Sequence, residues 1–94
     1  MEWITIADWP GGTVSDFDKA HAEHGDPDGL VVRYCAVVNG DLRIVAAWES
    51  KAAAERFFAN VPTDVAARLA PKTNGVPNVT AFDAERSFNR TPVG

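Results

Sequence analysis

The chain has 94 residues, enough for one small domain but near the lower end of what a single core supports. Hydrophobic residues make up 46% of it and charged residues 23%, a globular balance that argues against a disordered chain. A net charge of −4 leaves no basic footprint, which argues against nucleic acid or an anionic membrane as a partner.

Residues 2–9 set Ile4 and Ile6 in alternation with Trp3 and Thr5, which predicts a strand. Pro10, Gly11 and Gly12 end it, because proline cannot continue a ladder and paired glycines favour a turn. Thr13 or Ser15 is placed to cap a helix, with Asp16 and Asp18 near its positive end. Val14, Phe17, His21 and His24 follow at helical spacing and share one stripe. A loop from Gly25 to Gly29 closes this helix.

The two strongest strand patterns are Leu30–Val38 and Asp41–Trp48, joined by Asn39-Gly40, the preferred pair for a type I′ hairpin turn. With a two-residue turn, Val37 faces Leu42, Cys35 faces Ile44, Arg33 faces Ala46 and Val31 faces Trp48. One face of the hairpin then carries Val31, Arg33, Cys35, Val37, Leu42, Ile44, Ala46 and Trp48. The other carries Val32, Tyr34, Ala36, Val38, Arg43, Val45 and Ala47. Both are apolar, whereas a half-exposed antiparallel sheet alternates apolar with polar.

Ser50 predicts the cap of a second helix over 51–61, burying Ala53, Ala54, Phe57, Phe58 and Val61 before Pro62 breaks it. Thr63 is placed to cap a short continuation over 64–70 that buries Val65 and Leu69. Residues 72–78 form a loop, 79–88 a last strand, and 89–94 a frayed tail. The single cysteine, Cys35, excludes an internal disulfide and reads as a small buried hydrophobe. No secretory signal or membrane span is expected, so the cytoplasm is the expected location.

The order strand, helix, strand, strand, helix, strand predicts an α+β domain over 1–88 with the ferredoxin-like βαββαβ topology. That is a four-stranded antiparallel sheet with two helices on one face. Helices cover only one side of the hairpin, and soluble monomers rarely expose a large apolar patch. A homodimer packed through the uncovered face is therefore expected.

The run Val45-Ala46-Ala47-Trp48-Glu49-Ser50, leading into a helix with Ala54 and Phe57-Phe58, resembles the dimeric α/β-barrel superfamily. Gly29-Leu30-Val31 and the short Asn-Gly hairpin fit it as well, and the likeness spans roughly residues 2–88. The nearest branch is that of antibiotic-biosynthesis-monooxygenase-like proteins and small uncharacterised bacterial members. The resemblance implies a dimeric barrel with a cleft between sheet and helices in each subunit. It also implies a small apolar or aromatic ligand and, for the oxygenases, chemistry without a cofactor. The haem degraders of this superfamily carry an Asn on the first strand, and a Trp and a haem-ligating His on the second helix. Those helix positions fall here on Phe57 and near Ala67, and the first strand has no Asn, which argues against haem degradation.

Arg33 and His21 are the candidate catalytic residues. A guanidinium in an apolar strand needs partners, either a ligand carboxylate, enolate or phenolate, or a structural ion pair with Asp8 or Glu85. An imidazole at His21 suits a general base, and the bland alternative is a half-buried core histidine. Trp48, Phe57, Phe17, His24 and Cys35 are the candidate substrate-binding residues. Beside that reading, aromatics on strands commonly fill the core, and His24 suits the negative end of its helix. His21 and His24 lack a convincing third ligand, so no metal is expected. Three functions stay open: a cofactor-independent monooxygenase, a cyclase or isomerase with His21 as proton shuttle, and a non-catalytic binding or accessory protein.

Overall fold

A computed structural model describes residues 2–88, so the expected tail over 89–94 lies outside the described residues. The elements run β1 (Trp3–Pro10), α1 (Val14–His24), β2 (Leu30–Val38), β3 (Asp41–Trp48), α2 (Lys51–Ala59), α3 (Thr63–Leu69) and β4 (Asn78–Asp83). A single 3₁₀ turn, Pro71–Thr73, precedes the last strand. The sheet is antiparallel throughout with order β2-β3-β1-β4, the ferredoxin-like arrangement expected from the element order.

Local chemistry sets the element ends. The Thr13 hydroxyl accepts the Asp16 N–H at 3.1 Å and so caps α1, while the Ser50 hydroxyl accepts the Ala53 N–H at 3.1 Å and caps α2. α2 stops at Ala59, two residues short of the expected end. Pro62 disfavours helical backbone at Val61, and Asn60 closes the turn by donating to the Arg56 carbonyl at 2.6 Å. At α3 the cap position is Pro62, not Thr63, and no side chain bonds to the exposed amides. β4 ends at Asp83, opposite Trp3, where β1 runs out of residues to pair with it. One more bond, from the Ala84 N–H to the Glu2 carbonyl at 2.9 Å, completes that edge.

The hairpin turns at Asn39 and Gly40, both with positive φ (52° and 80°), as a type I′ turn requires. Register follows as expected from Val38↔Asp41 back to Val32↔Ala47. There it breaks: a β-bulge at Val31 brings Leu30, not Val31, opposite Trp48. Leu30 thereby packs against the Trp48 cluster and Val31 turns outward, 51% exposed. The expected Val31–Trp48 pair is corrected accordingly.

The helix side of the sheet holds two cores. Ala7, Trp9 and Leu42 meet Val65 and Leu69 of α3, and Ala46 and Trp48 meet Ala53 and Ala54 of α2. α1 contributes no fully buried residue; Phe17 and Ala20 lean on the first cluster, and Val14 is exposed. Among the described residues, no helix or strand covers the other side of the sheet. There Ile4, Ile6 and Val45 lie beside the exposed Val32, Tyr34 and Phe82. Arg43 donates to both carboxylate oxygens of Asp8 at 2.7 and 3.1 Å on this face. Leu42 is fully buried, so Leu42→Ala is expected to cost about 2–5 kcal/mol, read as a lower urea midpoint at unchanged slope.

Candidate functional site

Between the sheet and its helices lies a cleft of about 430 Å³. Its walls are mainly apolar, from Ala7, Ile44 and Ala46 on the strands to Phe57 and Phe58 on α2. Six of the seven residues that the sequence singles out, Arg33, His21, His24, Phe17, Trp48 and Phe57, line it together. Cys35 does not; it packs against the Ala7–Leu42 core, and burial, aided by the charge of Asp18, pushes its thiol pKa up. A thiol held protonated in this way is a poor nucleophile.

Arg33 is the only β2 residue in the cleft wall, and its side chain is 12% exposed. Its guanidinium carbon lies 4.8 Å from the centre of the Phe17 ring, a cation–π distance. Its ion-pair partner is Asp26, with Nη2 to Oδ1 at 3.6 Å, too long for a hydrogen bond. The expected partner Asp8 is instead taken by Arg43 on the opposite side of the sheet. Burial lowers the Arg33 pKa from its ordinary value, and the charge of Asp26 only opposes that shift.

His21 projects from the last turn of α1 and stacks parallel to Phe17, with ring centres 6.0 Å apart. Its Nε2 sits 2.9 Å from Asp26 Oδ1, the same oxygen that faces Arg33. The loop makes this possible: Gly25 (φ 70°) ends the helix and Gly29 (φ 84°) returns the chain to β2, where a Cβ would strike the Cβ of Ala53. Asp26 escaped the sequence reading because it lies outside the helical stripe of the histidines. A carboxylate one residue past a glycine helix stop is the signal in the sequence that marks it. His24 also lines the cleft, with Nε2 at 3.7 Å from Glu23.

The aromatic wall is firmly held. The Trp48 indole donates to the buried Thr5 hydroxyl at 2.9 Å and its ring lies 5.2 Å from Phe57. Trp9 is buried as well, yet its indole N–H has no hydrogen-bond partner among the described residues. A second cavity of about 590 Å³ lies towards β4, sharing Thr5, Trp9, Phe58 and Val61 with the first. Glu55 is its one charged lining residue, so the ionisable groups are concentrated in the first cleft. Among the described residues no cluster of three His, Cys, Asp or Glu is placed to hold a metal ion.

No protein-family model and no curated relative matches the sequence. Among solved structures it is similar to a crystal structure from Deinococcus radiodurans, provisionally described as an antibiotic biosynthesis monooxygenase. That match covers 98% of this chain and 100% of the other, with a TM-score of 0.59 at 14% identity. The two chains share a fold. The resemblance read from the Trp48-Glu49-Ser50 segment therefore holds at the level of architecture, and the chemistry of the cleft is argued from its own residues.

A desolvated cation with one long ion pair contributes little to folding. Arg33→Met is thus expected to leave stability in urea unchanged or raise it by up to about 2 kcal/mol. A loss larger than that would make Arg33 a structural residue.

Proposed function

We propose that residues 1–88 form one domain that works as a cytoplasmic homodimer and binds a small anionic aromatic molecule in each cleft. The single observation that carries this reading is Arg33: a nearly buried guanidinium in an apolar, aromatic-lined cleft, with only a long ion pair to neutralise it. Such a group supplies what a phenolate, enolate or carboxylate needs, a charge-assisted fork in a low-dielectric wall. Phe17, Phe57 and Trp48 give the flat apolar surfaces that a ring requires.

The chemistry that fits is oxygenation without a bound cofactor. With His21 Nε2 donating to Asp26, Nδ1 is left as the basic nitrogen, suited to removing a phenolic or activated C–H proton. Arg33 stabilises the resulting anion, which is electron-rich enough to react with dioxygen. For a ring CH₂ group, one oxygen atom becomes a carbonyl and the other leaves as water with the two hydrogens. The name of the Deinococcus radiodurans neighbour is consistent with this reading. The dimer is supported by the uncovered sheet face, where Ile4, Ile6 and Val45 lie between the exposed Tyr34 and Phe82.

Two measurements test the reading. Hydroxylated aromatics are expected to bind and to drive oxygen uptake, with binding weakened about tenfold or more in Arg33→Met. Absence of both binding and uptake across the panel would overturn it, and turnover without oxygen would point to isomerase chemistry at His21. Separately, sedimentation equilibrium is expected to give a dimer that Val45→Asp converts to monomer, because that change buries an unpaired charge at the centre of the face. A monomeric wild-type protein would remove the dimer from the proposal.

A further inference from the structure

Asp26 occupies an unusual place for a charged residue. One oxygen, Oδ1, serves two cations or potential cations, His21 Nε2 at 2.9 Å and Arg33 Nη2 at 3.6 Å. Its side chain is 73% exposed while that of Arg33 is 12% exposed, so the carboxylate comes from solvent to meet a guanidinium set into the wall. The loop that carries it has glycines with positive φ at both ends, Gly25 and Gly29, and its residues Gly25, Pro27 and Asp28 line the cleft. Among the side chains of the described residues, Asp26 has one partner within hydrogen-bond distance, His21.

We propose that Asp26 sets the ligand selectivity of the cleft by standing in for the ligand's anion at Arg33. An incoming carboxylate or phenolate takes the guanidinium, and Asp26 gives up its long contact while keeping its hydrogen bond to His21. This rests on the reading of the cleft given above. The contact is long and its carboxylate is in solvent, so the substitution is easy for a ligand that brings its own charge. A neutral ligand offers nothing in exchange and leaves the Asp26–Arg33 pair in place. The carboxylate thus raises the threshold for binding at Arg33 and passes those anions able to form the shorter, charge-assisted contact that Asp26 does not make. Asp26 acts through Arg33, which lines the cleft, and is a positioning residue that does not enter the reaction.

The experiment is calorimetric titration of the folded full chain with 1-naphthoate and with the neutral 1-naphthalenemethanol. Wild type, Asp26→Asn, Asp26→Ala and Arg33→Met are compared. Asp26→Asn and Asp26→Ala are expected to bind 1-naphthoate about fivefold more tightly than wild type, with the alcohol unchanged. A purely structural role for Asp26 would move both ligands together. Naphthoate binding that Arg33→Met abolishes but neither Asp26 variant strengthens overturns this inference and leaves the cleft reading standing. Absence of naphthoate binding in every variant overturns both.

Discussion

The Asn39–Gly40 turn fixes how β2 lies against β3, and the cleft depends on that register. Side chains on a strand alternate between faces, so a slip of one residue would carry Arg33 to the open side and Tyr34 into the cleft. With Arg33 opposite Ala46, the side chain instead points to the helix side and its guanidinium meets the Phe17 ring of α1. The bulge at Val31 comes on the side of Arg33 away from the turn, so it re-aims Leu30 towards Trp48 without disturbing the register between. The hairpin tolerates an extra residue at one end because its other end is pinned.

The same hairpin holds two arginines with opposite fates. Arg43 forms a forked pair with Asp8, which raises its pKa and lowers that of the carboxylate through the shared hydrogen bonds. Arg33 has a long pair and a ring face, and burial is the largest influence on its pKa, acting downward. A fold that needed Arg33 only for cohesion would have given it what Arg43 has. The difference is the physical support for the proposal that the helix side of the sheet receives a ligand.

Much of this was legible in the residues. Strong strand propensity and an Asn-Gly pair located both hairpin strands to the residue, because turn chemistry and side-chain alternation act locally. The stripe of Phe17, His21 and His24 likewise came from helical spacing and does line the cleft. What was not legible depended on tertiary geometry. Leu30, Val31 and Val32 are equally suited to either face, so nothing local announced the bulge. The last strand, Asn78–Asp83, is shorter than the expected 79–88 because its length is limited by its partner β1, not by its own propensity. Asp26 reaches Arg33 across a loop whose path is decided by glycine backbone angles, and Asp8, two strands from β2, pairs instead with Arg43 on the strand between.

α1 has no fully buried residue, although it carries Phe17 and both histidines of the cleft. Its attachment rests on half-buried side chains, the Arg33–Phe17 contact, the bond from Arg68 of α3 to Glu23 and the hydrogen bond from His21 to the loop that follows. Elements anchored by so little buried surface open at a fraction of the global unfolding free energy. Amide hydrogens of α1 should therefore exchange with solvent long before those of β1 and β3. Of the helices that enclose the cleft, α1 is thus the one with no fully buried residue of its own.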